Sequence, residues 1–166
     1  ATKTFTIAVS ANSSLSSALV QWDFNGLSNF GLSPYPPTTI LTSNIQVVGL
    51  SRSSKLTTSG TAASNAWGAT NWSTKSTLDS TLNFDTSFIT FSLKSLPGYS
   101  MSLSSINPYN VRRSSTGPIY GQWQYKINSR PFNNIGSAII WGNNSTSSGN
   151  NQSLIDLSLI SELQNV

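Results

Sequence analysis

Thr4-Phe5-Thr6-Ile7-Ala8-Val9 alternates without a break, with Phe5, Ile7 and Val9 on one side and Thr4, Thr6 and Ala8 on the other. Successive side chains of a strand point to opposite faces, so this period of two predicts a half-buried β-strand. The run that follows, Ser10-Ala11-Asn12-Ser13-Ser14-Leu15-Ser16-Ser17, is small and polar and reads as a flexible connector. Residues 18–24 then alternate again, with Val20, Trp22 and Phe24 sharing a face. The chain therefore divides into a strand with its connector, 1–17, and a β domain, 18–166.

Further strands are expected at 45–50, 88–94, 100–106, 109–113, 121–127 and 132–141. Turn chemistry separates them: Asn25-Gly26, the Pro-rich Ser33-Pro34-Tyr35-Pro36-Pro37, Leu96-Pro97-Gly98-Tyr99, and the loop Ser114-Ser115-Thr116-Gly117-Pro118. Residues 56–83 hold Trp67 and Trp72 among small residues and predict long loops with one helical turn. Loops of that length in a compact domain tend to be functional. Residues 143–151 read as a low-complexity loop, 153–159 as a strand or short helix, and 160–163 as a helical turn. Many short strands with Gly, Pro and Asn between them argue for an all-β, jelly-roll-like antiparallel β-sandwich in a single domain. No fixed-period repeat points to a solenoid or propeller.

Ser, Thr and Asn supply 67 of the 166 residues, and only 8% are charged. A typical soluble domain carries about 25% charged residues, so the outer faces of a helical bundle are not available here. The 37% apolar content, with five Trp, five Tyr and seven Phe, builds a core and argues against disorder. The net charge of +4 reflects scarce acids rather than clustered bases. Arg112-Arg113 are adjacent and Arg52 and Lys55 form a loose second pair, which is too scattered for a nucleic-acid face. No apolar run reaches the roughly 18 residues of a membrane helix. The start at Ala1, without Met or an apolar leader, reads as a processed mature chain or a piece cut from one. Without cysteine the redox compartment is silent, and the uncharged coat suits an extracellular setting.

The absence of His and Cys removes the usual members of nucleophile triads and zinc sites. Five acids in unrelated contexts offer neither a glycosidase pair nor a calcium loop. The expectation is a non-enzyme with no catalytic residues, no metal and no cofactor. Binding chemistry rests on aromatics, since sugars stack on Trp or Tyr while polar groups meet their hydroxyls. Trp67, Trp72 and Tyr120, in predicted loops, and Arg112 are the candidates for a glycan. The competing reading has both Trp capping the ends of the core. Of Arg112 and Arg113, one is expected in solvent and the other on backbone carbonyls or an acid such as Asp23. Sequons at Asn12, Asn71, Asn143, Asn144 and Asn151 permit glycosylation.

Several stretches occur in a recognisable order: Trp22-Asp23-Phe24-Asn25-Gly26-Leu27, Asn65-Ala66-Trp67-Gly68, and Pro97-Gly98-Tyr99-Ser100-Met101-Ser102-Leu103-Ser104-Ser105-Ile106. Arg112-Arg113-Ser114-Ser115-Thr116-Gly117-Pro118, Trp123-Gln124-Tyr125, Ile155-Asp156-Leu157-Ser158 and Leu163-Gln164-Asn165-Val166 follow. From about Leu19 onward this pattern resembles bacterial secreted and cell-surface modules, often found in proteins with a PEP-CTERM-type sorting signal. The resemblance implies an extracellular or cell-surface jelly-roll-like sandwich without established catalytic residues. Such modules typically continue into a final apolar strand, whereas this chain stops at Val166 and carries an additional strand at 2–9.

A sandwich short of one strand has an open groove, and the spare strand has the alternation to fill one. It either folds back in its own chain or inserts into a neighbour, as in donor-strand complementation. The expectation is a structural subunit that polymerises head to tail with copies of itself, anchored by Phe5, Ile7 and Val9. The alternatives are a carbohydrate-binding or adhesive module using Trp67, Trp72, Arg112 and Tyr120, and a spacer domain of a longer surface protein.

Overall fold

The computed structural model describes residues 4–8, 18–73, 87–141 and 149–166. Within them the first strands are β1 (Thr4–Ala8), β2 (Val20–Asp23), β3 (Thr39–Ile40), β4 (Ile45–Arg52), β5 (Ile89–Ser95) and β6 (Ser105–Ile106). Then come β7 (Tyr109–Val111), β8 (Tyr120–Tyr125), β9 (Asn133–Ile140), β10 (Asn150–Gln152) and β11 (Ile155–Asp156), with one 3-10 turn at Ser161–Leu163. The fold is all-β and its pairings are antiparallel, as the alternation predicts. One sheet has five strands in the order β11-β6-β1-β2-β3; β4 pairs with β5, β8 with β9 and β7 with β10. The strand at the middle of the largest sheet is thus β1.

Two apolar clusters form around this sheet. Leu19, Val20, Trp22 and Phe24 pack with Ile45 and Leu50, joined by Phe91 and Leu93 of β5. Ile106 and Tyr109 pack with Ile135, Leu157 and Leu163, joined by Trp123, Tyr125 and Trp141. Leu103 packs against both clusters. Since β2 belongs to the first cluster and β6 to the second, β1 runs between strands rooted in different halves of the core.

Two glycines allow close approaches that the packing requires. Gly49 lies where a Cβ would come within 1.9 Å of the Tyr35 carbonyl oxygen. Its absence lets the Pro-rich excursion pair with β4 through reciprocal Tyr35 and Leu50 backbone bonds of 2.8 and 3.0 Å. At Gly121, a Cβ would sit 1.7 Å from Trp141 Cζ2, so the Trp141 ring lies directly against the β8 backbone.

Several local expectations shift. The strand expected at 100–106 contracts to β6, because the preceding residues bond to the irregular end of the chain. Met101 and Val166 exchange backbone bonds of 2.8 and 2.9 Å, and the Leu103 N–H donates to the Leu163 carbonyl at 3.0 Å. Asn150 and Asn151, expected in a loop, belong to β10, and the Asn151 side chain accepts from the Asn110 amide at 2.8 Å. An all-polar segment carries no apolar alternation, so its pairing was invisible. Tyr120, expected in a loop, begins β8. Of residues 56–83, those up to 73 close through a Thr57–Thr70 bridge, and 74–83 lie outside the described residues.

Candidate functional site

The slot filled by β1 has two walls. Along β2 the register sets Thr4 opposite Asp23, Phe5 opposite Trp22, Thr6 opposite Gln21 and Ile7 opposite Val20. Along β6 it sets Ile7 opposite Ile106 and Ala8 opposite Ser105. Trp22 and Val20 are 0% exposed and Ile106 is 3% exposed, so positions 5 and 7 face the most buried residues of the walls. Val9 and the connector at 10–17 lie outside the described residues.

Each wall is anchored by contacts that do not involve β1. On the first, the Trp22 indole N–H donates to the Tyr35 carbonyl at 3.1 Å. The Asp23 N–H donates to the Thr38 hydroxyl and the Thr38 N–H to the Gln21 carbonyl, both at 2.8 Å. On the second, β11 pairs with β6, and the Leu157 N–H donates to the Ser104 carbonyl at 2.8 Å. The Gln164 side-chain amide closes that wall from behind, reaching the Leu103 and Leu157 carbonyls at 3.0 and 3.1 Å. The walls are therefore built from residues distant in sequence and fixed by their own bonds.

The aromatic candidates sit elsewhere. Trp67 is half-buried against the first cluster, and its indole N–H donates to the Leu32 carbonyl at 2.8 Å. Its ring carries the Arg52 guanidinium 4.3 Å from the centroid. Trp72 is half-buried and turns its N–H back to the Ala69 carbonyl at 2.8 Å. Tyr120 is half-buried and pairs with Ile140 across the β8–β9 ladder. Arg112 is exposed, whereas Arg113 is 8% exposed with its guanidinium on the Ser114 and Gly117 carbonyls at 3.2 and 3.3 Å. Among the described residues no hydrogen bond or ring contact joins Trp67 or Trp72 to Arg112 or Tyr120.

The sequence sets Arg52 beside Lys55 as a loose pair of scattered charges. In the fold its guanidinium donates to the carbonyls of Gly68 (2.7 Å), Leu32 (3.2 Å) and Phe30, and burial lowers its pKa. It ties the two long excursions to the end of β4. The only available signal was its position where a strand ends between Gly- and Pro-rich loops. A second polar cluster joins the Tyr125 hydroxyl, which donates to Glu162 at 2.5 Å, and Arg130, 3.2 Å from the same carboxylate. That hydrogen bond raises the Tyr125 pKa.

An open cleft of about 250 Å³ beside β11 is lined by Ile139, Gln152, Ser153, Leu154 and Ile155, with no charged group. Among the described residues no three His, Cys, Asp or Glu converge as metal ligands, and no helix is long and apolar enough to cross a membrane. No protein-family model, curated protein or solved structure matches this chain.

Proposed function

We propose that the protein is an extracellular structural subunit that assembles head to tail by passing β1 into the β2–β6 slot of the next copy. The observation that carries this reading is the placement of β1 as a central strand between two walls that are fixed without it. Its pairing with β2 spans residues 7 and 20. The intervening segment far exceeds the about 2–5 residues a hairpin loop requires. A strand held on so long a tether reaches its own slot or an identical one with the same hydrogen bonds. Exchange between copies therefore costs little in contacts, and a head-to-tail exchange leaves a free slot and a free strand at the ends. The weakly charged coat supports the reading, because like-charge repulsion between copies is small. The resemblance to secreted modules supports the extracellular setting.

The chain contains no cysteine, so an introduced pair reports on itself. Thr6→Cys in one chain and Gln21→Cys in a size-tagged second chain occupy opposed register positions. Opposed residues of antiparallel strands lie about 4.5–5.5 Å apart at Cα, within disulfide reach. After the two are unfolded, mixed and refolded at high concentration, a mixed disulfide is expected on a non-reducing gel. Its absence, with each chain remaining monomeric, overturns the proposal.

A further inference from the structure

We infer that the β2–β6 slot is an acceptor site for a free extended peptide, and that position 7 of the incoming strand sets its register. This rests on the slot described above but does not require that the protein polymerise. Ile7 is the residue of β1 with a Cα partner on both walls, Val20 on one and Ile106 on the other. Those two partners are buried and belong to different apolar clusters. The occupant of position 7 therefore stands where the two halves of the core meet across the strand. Position 5 meets a partner on the β2 wall alone, Trp22.

The register follows from side-chain alternation. A slip of one residue turns every side chain to the other face and sets Thr or Ala at the register positions of Phe5 and Ile7. A slip of two keeps the faces but sets Phe5 or Val9, in place of Ile7, in register with Val20 and Ile106. At the alternate positions Thr4 pairs in register with Asp23 and Thr6 with Gln21. The ligand is thus an extended peptide of alternating apolar and polar residues, running antiparallel to both walls. Its pattern is two apolar residues separated by one polar one, with a β-branched residue in the second apolar place. A free peptide of this kind is recognised through main-chain pairing for affinity and alternate side chains for specificity.

The test uses the full chain and a fluorescent synthetic peptide of residues 1–10. The resident strand competes at a high effective concentration, so the acceptor is the full chain carrying Ile7→Asn, co-refolded with the peptide. Retention of peptide through gel filtration is expected, and the unmodified chain should retain less. An Ile7→Asn peptide should bind at least about tenfold more weakly, because a polar group enters the apolar seam unpaired. A Phe5→Asn peptide should lose less. If the Ile7→Asn chain fails to refold, the unmodified chain with excess peptide gives the same ranking. A Thr6→Cys peptide should cross-link to Gln21→Cys protein, and a Thr4→Cys peptide should not. Equal binding of the peptides, cross-linking from either position, or no capture by either chain overturns the inference. Peptide capture without a mixed disulfide between chains sinks polymerisation and leaves the acceptor site standing. A mixed disulfide with no dependence on position 7 does the reverse.

Discussion

The Arg52 guanidinium lies 4.3 Å from the centroid of the Trp67 ring, and both side chains donate to the carbonyl of Leu32. One cation and one indole thus close the same loop from two sides. The planar fork of Arg also reaches Phe30 and Gly68, a combination that the point charge of Lys does not reproduce.

Arg52→Lys is therefore expected to destabilise the fold by about 1–3 kcal/mol, through carbonyls left without donors and a weakened stack. Urea unfolding measures it. A midpoint equal to that of the unmodified chain would show that the loop is held by other means.

Gly121→Ala is expected to lower stability by about 1–3 kcal/mol, since Trp141 must move to admit a methyl group. Gly26→Ala supplies the comparison. Gly26 has φ of 80° and nothing within 4 Å of the added carbon, so only backbone strain acts there. Thermal unfolding should fall for both variants, and Gly121→Ala should in addition perturb the near-ultraviolet dichroism of Trp141.

Tyr109 is buried, and its hydroxyl accepts from the Trp123 indole N–H at 2.7 Å. Burial pushes its pKa from 10.0 up to about 12, with the Trp123 bond acting weakly the other way. The folded state therefore holds this proton after the unfolded state has lost it. The stability that this contributes is complete below pH 10.0 and is lost as pH rises towards about 12. Phenolate absorbance should show a component titrating towards about 12, and Tyr109→Phe should remove it. A high-pH component that survives in Tyr109→Phe would refute the assignment.

Glu162→Gln should lower the pKa of Tyr125, because the carboxylate that accepts its proton raises that pKa. The change is read as an earlier phenolate signal for one tyrosine. No movement would mean that the Tyr125–Glu162 bond is absent in solution.

The legible parts of the fold are those governed by neighbours in sequence. The alternation of Thr4–Ala8 and Val20–Asp23 gave strands, and Trp123, Tyr125 and Ile127 are on the core side, as their spacing predicts. Arg112 is exposed and Arg113 rests on backbone carbonyls, as expected, but the strand expected at 109–113 ends at Val111, so period two does not set this split. Polar β10 and the two-residue β3 were not legible, because their pairing depends on distant partners rather than on their own pattern. The same holds for Arg52, whose acceptors at Phe30 and Leu32 belong to another excursion of the chain.

For the candidate site, local sequence determined that residues 4–8 make a strand and which positions alternate, since adjacent peptide units alone set that geometry. Only the tertiary structure decided that this strand lies at the centre of the sheet and that Ile7 stands opposite both Val20 and Ile106. Alternation specifies a face but names no partner. The choice of neighbours is made by the burial of Trp22, Val20 and Ile106, which requires walls assembled from residues far apart along the chain.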